Sequence, residues 1–565
     1  MCGIFGIKSS NKNLLNELNK MHIGLIHRGP DNYGYYLNEE SKIGMGHNRL
    51  SILDLSEKSN QPFENENYVI CYNGEIYNYL ELRDSLKHSH QNTFNTQGDF
   101  EVLCQLWLLY GIKFLDFLDG MFAITIFDKI ESKLYLIRDR FGEKPLYYRH
   151  TNSEFIYASE IKAFDAVSKE PDIETLGHFI NNSQYYNESN PSSTFYQSIK
   201  IVQPSHYLIF DIIKNEIREE SYYSLKKERY NASLTEASFE LNALLLKVIG
   251  RRLRSDVDYA TLLSGGLDSN VLMTFQNILG DAPNIVSAIF PKKSQDESSD
   301  IFKSLEIHKT NKQFFVKPTI EQFQDKISQV IKTQDEPFGS TSVFAQHLIF
   351  EELKRNGIKM AIDGQGADEI FAGYHYYFDR YFYELSFSNW NNFKNKLSKY
   401  KNLRSDNRFD NYLSFKGRIS NIKKQLLMNN PPTLNQLLEK NLLGGELQEM
   451  LRYGDRNSMH SSIELRSPFL SHELVEFVFK LPNEFKLRDG FTKYILRKVA
   501  SESPFSKAQN IIWSIEKKGF VTPFSDFTIK LSITNKAIDF TLDHGLDPSN
   551  LTPWKAFMIQ SYFSE

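Results

Sequence analysis

The sequence predicts two fold classes in succession: an α+β region rich in sheet, then an α/β region with a parallel sheet covered by helices. In the first two hundred residues, short strand-like runs alternate with turn-like stretches, and three of these runs span residues 68–72, 122–127 and 133–138. Further along, apolar residues recur at helical spacing between short apolar strands, which is typical of a helix-covered parallel sheet. The length of 565 residues fits two or three domains.

This change of pattern divides the chain into a first region over residues 2–215 and a second over residues 235–565. The first region ends in a strand pair that lies before and after Asn215. The second opens with apolar residues at helical spacing behind Ser233, a residue type that caps the amino termini of helices. The chain reads as largely helical from about residue 389, and before that point we expect strands at 259–263, 284–290 and 359–362.

Composition and charge argue against several classes of protein. Lys and Arg number 66 and Asp and Glu number 70, so the nearly balanced charge predicts neither a nucleic-acid-binding stripe nor a surface for anionic membranes. The three cysteines argue against a disulfide scaffold and fit a reducing compartment. The amino terminus does not read as a signal peptide, and the longest apolar runs fall short of a membrane span. We therefore expect a cytoplasmic protein.

The second residue is a candidate nucleophile. Met1 precedes a small residue, so its removal is expected, and Cys2 would then carry a free α-amino group. Such an amine has a pKa of about 7.7–8.0 in peptides and can act as the base that converts a thiol into a thiolate. Taken alone, Met-Cys-Gly favours a buried cysteine with no catalytic role. The interpretation therefore depends on the residues elsewhere in the first region.

Three further segments offer the groups that glutamine hydrolysis needs. Arg49 can pair with a carboxylate through two parallel hydrogen bonds. Asn73 and Gly74 offer a side-chain amide and a backbone N–H to a tetrahedral oxyanion. Glu75 and Asp99 can receive an ammonium group. Singly, each residue is more often a turn residue or a surface charge, but together they indicate a glutamine hydrolase.

Six motifs follow one another along the first region: MCGIFG, HRGPDNYG, GHNRLSILD, YNGEIYN, GDFEVL and RDRFGEKPLYY. Their order resembles that of class II glutamine amidotransferase domains, which are similar to N-terminal-nucleophile hydrolases. The resemblance implies two stacked antiparallel sheets between helices, with Cys2 as nucleophile. It implies that glutamine is held by Arg49, Leu50, Ser51, Ile52, Leu53, Asn73, Gly74, Glu75 and Asp99, of which Asn73 and Gly74 also serve catalysis. Three more residues match family motifs and are expected to be structural: His27, Arg28 and Asp139.

A short Ser/Gly loop in the second region has the character of a phosphate-binding loop. It reads Ser264-Gly265-Gly266-Leu267-Asp268-Ser269, follows a predicted strand and opens a predicted helix. Glycines let the backbone approach a phosphate closely, and the hydroxyl and N–H groups at a helix start can bind its oxygens. The loop lacks the Gly-Lys-Ser/Thr ending of a Walker A loop. It is similar to the pyrophosphate-binding loop of ATP pyrophosphatases, which would allow a carboxylate to be activated as an acyl-adenylate for attack by ammonia.

Four later motifs extend the resemblance: AIDGQGADE, GDRNSMHSSIELRSPFL, GFTKYILRK and KKGFVTP. Together with the first region they resemble the glutamine-hydrolysing asparagine synthetases over nearly the whole chain. The resemblance implies ATP contacts from Leu262, Ser264, Gly265, Gly266, Asp268, Ser269, Ile289, Asp363 and Gly364, with Leu262 and Ile289 beside the adenine. It implies that the reaction intermediate is formed among Gln365, Asp368, Glu464 and Arg466. Mg²⁺ would be held by Asp268 and Asp368, and Lys493 would be the catalytic cation at the phosphates.

The leading hypothesis is that glutamine, aspartate and ATP give asparagine, glutamate, AMP and pyrophosphate. The resemblance also implies an internal path for ammonia and a homodimer. Two departures from the family pattern keep a second hypothesis open. Gln365 replaces a glutamate of many members and can orient groups but cannot act as a base, and Ile515 and Glu516 precede Lys517 where many members have Arg-Pro.

The second hypothesis keeps this chemistry and changes the acceptor to another carboxylate, such as a sugar acid. A third is a degenerate nucleotide-binding regulatory or scaffold protein. The retention of Cys2, the Ser/Gly loop, Asp368 and Lys493 argues against that third hypothesis.

Overall fold

The computed structural model describes residues 2–91, 93–164, 170–182, 186–226, 228, 230–291, 296–388, 390–404, 409, 432–515, 531 and 533–563. Within these ranges, the strands of the first region are β1 (Gly3–Ser9), β2 (Asn32–Asn38), β3 (Ile43–Arg49), β4 (Phe63–Glu64), β5 (Tyr68–Ile76), β6 (Gly120–Asp128), β7 (Lys133–Arg138), β8 (Tyr147–His150), β9 (Glu154–Ala158), β10 (Lys200–Ile201), β11 (His206–Asp211) and β12 (Glu216–Ser221). Its α-helices are α1 (Leu14–Leu25), α2 (Tyr79–His90), α3 (Phe100–Tyr110) and α4 (Ile173–Asn182).

These strands form two antiparallel sheets that lie face to face. One sheet has the order β10-β8-β9-β1-β3-β2 and the other the order β12-β11-β7-β6-β5-β4. Successive residues of a strand point to opposite faces. Accordingly, Ile4 packs between the sheets with Val69 and Leu136, whereas Phe5 packs outward against Leu18 of α1. Helices α2 and α3 cover the outer face of the second sheet, so the predicted stack of antiparallel sheets between helices is confirmed.

The second region alternates helices and strands and then becomes mainly helical. Its elements in the described ranges are α5 (Leu234–Arg252), β13 (Tyr259–Leu262), α6 (Leu267–Ile278), β14 (Asn284–Ala288), α7 (Ser298–Ile307), β15 (Gln313–Val316), α8 (Ile320–Gln334), α9 (Ser342–Arg355), β16 (Met360–Ile362), α10 (Ala367–Ile370), α11 (Tyr377–Ser388), α12 (Trp390–Arg404), α13 (Leu434–Leu443), α14 (Gly445–His460), β17 (Glu464–Arg466), α15 (His472–Lys480), α16 (Asn483–Lys486), α17 (Tyr494–Ser501), α18 (Gln509–Ile512), α19 (Asn535–Asp543) and α20 (Pro553–Phe563). The first of these helices has a capping box in which Ser233 and Glu236 exchange hydrogen bonds, so the predicted cap is confirmed.

Five parallel strands form the sheet of the second region, in the order β15-β14-β13-β16-β17. Both faces are covered, because Ile362 packs with Phe275 of α6 while the adjacent Ala361 packs with Phe350 of α9. The chain leaves β13 for β14 on one side and later returns to β16 on the other side. Such a change of direction opens a crevice at the carboxyl ends of the two central strands. The Ser/Gly loop after β13 therefore lies beside the segment that begins at Asp363 after β16.

The two regions share a hydrophobic core. Leu50, Ile52 and Met121 of the first region belong to the same buried cluster as Leu241 and Leu245 of α5. This contact places the edge of the first region, where Cys2 lies, against the second region. No helix in the described ranges combines the length and the apolarity that crossing a lipid bilayer requires.

Candidate functional site

Cys2 lies directly before β1 and against the middle of β5. Its backbone nitrogen donates to Asn73 Oδ1 at 2.8 Å, and its thiol faces the carbonyl oxygen of Leu50 at 4.0 Å. The Asn73 side chain is fully buried, and its Nδ2 atom has no hydrogen-bond partner among the described residues. A buried donor of this kind can stabilise an oxyanion beside the sulfur.

Gly74 follows Asn73 in β5, at a point where β5 and β6 lie close together. A Cβ atom at this position would lie 2.1 Å from the carbonyl oxygen of Met121 in β6, so only glycine fits the approach of the two strands. Burial raises the pKa of the Cys2 thiol above its ordinary value, although the charge of Arg49 acts in the opposite direction. The thiol therefore needs a base, as the sequence argument required.

A small cavity in front of Cys2 collects most of the predicted glutamine-binding residues. Among the described residues its wall is formed by Cys2, Arg49, Leu50, Ile52, Leu53, Ser59, Gln61, Tyr72, Gly74, Glu75, Gly98, Asp99 and Phe100. Ser51 and Asn73 are not in this wall: the backbone nitrogen of Ser51 donates to Asp31, and Asn73 Oδ1 accepts from the Cys2 nitrogen. The Arg49 guanidinium donates to the carbonyl oxygen of Ser56 at 2.7 Å and to Asn60 Oδ1 at 2.8 Å, which fixes its orientation.

Two buried carboxylates, Glu75 and Asp99, face this cavity. Asp99 Oδ2 accepts hydrogen bonds from Tyr72 Oη and from the backbone nitrogen of Ile76, each at 2.8 Å. Sequence reasoning missed Tyr72, although its position two residues before Gly74 puts it in the same strand. Burial raises the pKa values of both carboxyl groups above those of ordinary carboxyls, and their mutual repulsion adds to the effect at Glu75.

These shifts predict how glutamine use depends on pH. A raised pKa means that Glu75 and Asp99 take up protons at a higher pH than ordinary carboxyls do, and a neutral carboxyl attracts an ammonium group less. We expect the KM for glutamine to rise on acidification from about pH 8 to pH 5, before a group with the ordinary pKa of about 4.3 would titrate. Steady-state glutamate release across this range measures the effect. A KM that stays flat down to pH 5 would contradict the assignment.

Arg28 ties the Cys2 segment to the second region. Its Nε atom donates to the carbonyl oxygen of Cys2 at 3.0 Å, and its Nη1 atom contacts Glu160 at 2.6 Å and Asp455 of α14 at 2.7 Å. His27 also contacts Glu160, at 3.0 Å. Asp139 accepts three backbone N–H groups of the turn that follows it. These contacts hold the backbone in place rather than reach into the cavity.

A second and larger cavity of about 630 Å³ opens at the carboxyl ends of β13 and β16. That volume is in the range of small-molecule sites. Its wall includes the predicted residues Leu262, Ser264, Gly265, Gly266, Asp268, Ser269, Asp363, Gly364, Gln365, Asp368 and Lys493. Ile289 is not among the described residues of this wall, because it points to the other face of the sheet and packs with Ile285 and Ile301. Val286 and Ala288 line the cavity in its place.

The Ser/Gly loop is held in shape by its own hydroxyl groups. The backbone nitrogen of Ser264 donates to Ser269 Oγ at 3.1 Å, and that of Gly266 donates to Ser264 Oγ at 3.2 Å. Helix α6 begins at Leu267, so its positive amino-terminal end points into the cavity. The backbone nitrogen of Gly265 donates to the Glu297 carboxylate at 3.1 Å. These three backbone N–H groups are donated to acceptors of the protein itself, and phosphate oxygens would have to replace those acceptors to bind here.

Lys493 places a charged ammonium group between two carboxylates of the cavity. Its Nζ atom lies 2.5 Å from Asp268 Oδ2 and 2.7 Å from Asp368 Oδ1. Burial alone would lower the pKa of Lys493, but the two carboxylates raise it, so the ammonium form persists. The backbone of Lys493 is left-handed, with φ of 53°, a strained conformation that is common at functional sites. A Cβ atom at Gly373 would lie 1.9 Å from Asp368 Oδ1 and 2.2 Å from Lys493 Cε, so glycine is required there.

The same two carboxylates are the residues predicted to hold Mg²⁺. Asp268 and Asp368 both contact the Lys493 ammonium group, and Mg²⁺ is commonly bound by one or two carboxylates together with substrate phosphates. Within the described part of the chain, no group of three or more His, Cys, Asp or Glu side chains could hold a metal ion.

Gln365 lines the cavity next to Asp363. Asp363 Oδ1 accepts hydrogen bonds from the Gln365 backbone nitrogen at 3.2 Å and from Ser467 Oγ at 2.7 Å. Burial raises the pKa of Asp363 to about 6. Asp363 and Gln365 both line the cavity, so a glutamate at position 365 would add a second carboxylate to the same wall.

The cavity wall that contains Ile515, a departure from the family pattern, also contains two arginine side chains. Ile515 lines the cavity, and its carbonyl oxygen accepts a hydrogen bond from Arg404 Nη1 at 3.2 Å. Arg497 also lines the cavity and donates to the carbonyl oxygen of Thr492 at 2.7 Å. Cationic groups are therefore present near Ile515, while Glu516 and Lys517 lie outside the described residues. The sequence could have indicated Arg497, which follows Lys493 by one helical turn, but it held no signal for Arg404.

Glu464 and Arg466 are not among the described residues that line the nucleotide cavity. They lie in β17 and face the first region instead, where Arg466 Nη2 is 3.5 Å from Glu75 Oε1. Arg466 Nε donates to Glu464 Oε1 at 2.6 Å. The structure therefore places these two residues at the boundary of the two regions, beside Glu75 of the glutamine cavity wall.

The fold and the two sites define a glutamine amidotransferase joined to an ATP-using ligase. Comparison with known proteins agrees with this class. Residues 1–223 match the family described as glutamine amidotransferase domain, and residues 240–547 match the family described as asparagine synthase. The chain belongs to the asparagine synthase family. Membership of this family supports glutamine-dependent amidotransferase chemistry with ATP as a substrate.

The relatives differ in name: some are named asparagine synthetase and others amidase. The chain is 28% identical over 551 residues to asparagine synthetase [glutamine-hydrolyzing] 1 of Bacillus subtilis, covering 88% of this chain and 84% of that protein. It is also 28% identical to amidase chyE of Penicillium rubens, covering 93% of this chain and 89% of that protein. A solved glutamine phosphoribosylpyrophosphate amidotransferase from B. subtilis matches at 15% identity with a TM-score of 0.30, covering 64% of this chain and 81% of that chain.

Proposed function

We propose that this chain is a glutamine-hydrolysing asparagine synthetase. ATP, L-aspartate, L-glutamine and water would give AMP, diphosphate, L-asparagine and L-glutamate. Residues 2–215 would form the glutaminase domain and residues 235–565 the synthetase domain. The observation that carries the proposal is the position of Lys493, an ammonium group between Asp268 and Asp368 beside a phosphate-binding loop.

In the glutaminase half, the α-amine of a processed Cys2 would take the thiol proton, and the thiolate would attack the carboxamide carbon of glutamine. Asn73 Nδ2 and the Gly74 backbone would stabilise the oxyanion, which then collapses and releases ammonia as the amine returns its proton. Water would hydrolyse the resulting thioester to glutamate. The substrate's own carboxylate and ammonium would be held by Arg49 and by Glu75 with Asp99.

In the synthetase half, a carboxylate oxygen of aspartate would attack the α-phosphorus of ATP, and pyrophosphate would leave towards the Ser/Gly loop. Lys493 supports this step, because a compact ammonium can follow the charge that moves onto pyrophosphate. Asp268 and Asp368 would hold Mg²⁺, which offsets phosphate charge when bound. Ammonia would then attack the acyl carbon, and AMP would leave.

The role of Gln365 can be tested by Gln365→Glu. If the side-chain amide only orients the intermediate, the variant should keep activity within about tenfold, because general base catalysis is not being removed. The measurement is the rate of asparagine formation with glutamine and with ammonia. A complete loss in a folded variant would show that the site is built around a neutral side chain next to Asp363.

A second candidate function changes only the acceptor. Gln365 and Ile515 both line the cavity where the acceptor would bind, and both depart from the family pattern. Another carboxylate, such as a sugar acid, would use the same adenylation and the same ammonia. The presence of a relative named as an amidase favours keeping this candidate.

The deciding experiment incubates the purified protein with glutamine, ATP, Mg²⁺ and aspartate and measures asparagine and pyrophosphate together. Equal amounts of both would establish the proposed reaction. Glutamate release without asparagine would reject aspartate as the acceptor and keep the amidotransferase chemistry. Failure to hydrolyse either glutamine or ATP with any acceptor would favour a nucleotide-binding regulatory protein.

A further inference from the structure

One buried guanidinium in the wall of the nucleotide cavity forms no ion pair with a carboxylate of the described residues. Arg497 lies in α17, is 7% exposed and lines this cavity. Its Nε atom donates to the carbonyl oxygen of Thr492 at 2.7 Å, and its Nη1 atom donates to the carbonyl oxygen of Ile512. Its Nη2 atom has no hydrogen-bond partner in the described part of the chain. The side chain therefore keeps a positive charge and unused N–H donors at a cavity wall.

Arg49 shows the same arrangement at the glutamine cavity. Its guanidinium is held by the carbonyl oxygen of Ser56 and by Asn60 Oδ1, and it is the group expected to receive the carboxylate of glutamine. Arg28, in contrast, lies outside both described cavity walls and contacts Asp455 at 2.7 Å. Enclosing a charge without an ionic partner costs free energy, which an anionic ligand offsets. An arginine that lines a cavity without an ion pair is therefore expected to receive an anion from a ligand.

The charges around Arg497 belong to the phosphate end of the cavity. Arg497 follows Lys493 by one helical turn, and the Lys493 ammonium group contacts Asp268 of the Ser/Gly loop. The pKa of Arg497 is lowered to about 10, first by burial and then by the positive charge of Arg404 on the same wall, while Asp268 and Asp368 act in the opposite direction. Both arginines stay charged at neutral pH and repel each other. A phosphate group bound at this wall would offset both charges.

The end of α18 and the residues after it fix the orientation of both guanidinium groups. The carbonyl oxygen of Ile512, the last residue of α18, accepts a hydrogen bond from Arg497. The carbonyl oxygen of Ile515 accepts one from Arg404 at 3.2 Å. Because these contacts hold the side chains before a ligand arrives, less side-chain freedom is lost when an anion binds.

We propose that Arg497 binds the terminal phosphate of ATP and, after cleavage, the pyrophosphate that leaves. The Ser/Gly loop donates its backbone N–H groups to acceptors of the protein itself, whereas Arg497 has donors that no described residue occupies. A guanidinium group can also bind phosphate oxygens through paired hydrogen bonds. The inference rests on the proposed function, because it takes from it the cleavage of ATP between the α and β phosphates.

The test measures binding of inorganic pyrophosphate with Mg²⁺ to the full-length protein by titration calorimetry, with AMP as the comparison ligand. Arg497→Gln should weaken pyrophosphate binding about tenfold or more, because charge-assisted hydrogen bonds are lost. AMP binding should stay unchanged, since AMP lacks the phosphates assigned to this side chain. Arg497→Lys should restore part of the pyrophosphate affinity, because it keeps the charge.

Arg140→Gln is the matched control. Arg140 is 6% exposed, donates to the carbonyl oxygens of Leu118 at 2.7 Å and Leu115 at 2.9 Å, and lies outside both described cavity walls. This variant should keep the pyrophosphate affinity of the unmodified protein. Arg404→Gln provides a second variant in case Arg497 is needed for folding, and it should weaken pyrophosphate binding by a smaller factor without changing AMP binding.

Unchanged pyrophosphate affinity in Arg497→Gln would overturn the inference, and a raised KM for aspartate in the same variant would assign the guanidinium to the acceptor's carboxylate instead. An unmodified protein that binds neither AMP nor pyrophosphate would overturn the proposed function together with this inference. Binding of these two ligands requires no acceptor. An error in the acceptor therefore leaves the test intact and appears separately, as a lack of asparagine from aspartate and ammonia.

Discussion

Replacing Cys2 with alanine is expected to abolish glutamine-dependent synthesis, by at least about 10³-fold, while synthesis from added ammonia continues. The nucleophile is lost, but the nucleotide cavity does not contain Cys2. The small side chain also keeps the backbone contacts with Asn73 and Arg28, since both are made by main-chain atoms of residue 2. Product formation with each nitrogen source gives the answer directly.

The two other cysteines supply controls for this experiment. Cys71 and Cys104 are also buried free thiols, and Cys104 lies in α3 outside the described cavity walls. Cys104→Ala should therefore retain both activities. If Cys2→Ala lost ammonia-dependent synthesis as well, while remaining folded, the separation of the two reactions would be wrong.

Replacing Lys493 with methionine should have the second large effect, a loss of about 10²–10³-fold in synthesis from both glutamine and ammonia. The substitution keeps the buried chain but removes the charge that the phosphates would meet. It also leaves Asp268 and Asp368 facing each other without the intervening ammonium group, and two such carboxylates repel. Glutamate release should survive, because Lys493 is not part of the glutamine cavity.

A second buried lysine provides the comparison. Lys486 lies in α16, donates to Asn435 Oδ1 at 2.9 Å, and has its pKa lowered to about 7 by burial. Lys486→Met removes a comparable side chain outside the described wall of the nucleotide cavity, so synthesis should persist. Lys493→Met would disprove the assigned role if it retained synthesis at the level of Lys486→Met.

Local sequence patterns predicted the fold classes of both regions. The alternation of short strands and turns predicted a sheet-rich α+β region, whereas the stacked antiparallel sheets were implied by the family resemblance. The Ser264–Ser269 segment follows β13 and opens α6, as its pattern predicts. The resemblance implied Ile289 beside the adenine, whereas the alternation of side chains along the strand gives it another orientation. Residues 286 and 288 point to the cavity, and side chains alternate along a strand, so residue 289 belongs to the opposite face with Ile285.

Other site residues could not be placed from local patterns. Glu464 and Arg466 lie at the edge of the parallel sheet, and only the packing of the two regions decides that they face Glu75. Arg404 reaches the cavity from a helix that ends more than a hundred residues before Ile515. Such contacts depend on how distant elements meet, which spacing along one chain does not encode.

The buried Arg28 has a consequence for how this chain can be divided or recombined. Its side chain is fully enclosed and bonds at once to the backbone that presents the nucleophile and to Asp455 of the other region. A fragment that ends after the first region would keep this guanidinium and lose one of its anions, and it would also expose Leu50 and Met121 to water. A chimaera that takes its amino-terminal half from another relative would have to carry a matching carboxylate on the α14 side. A chimaera between relatives would therefore have to exchange both regions together rather than the first region alone.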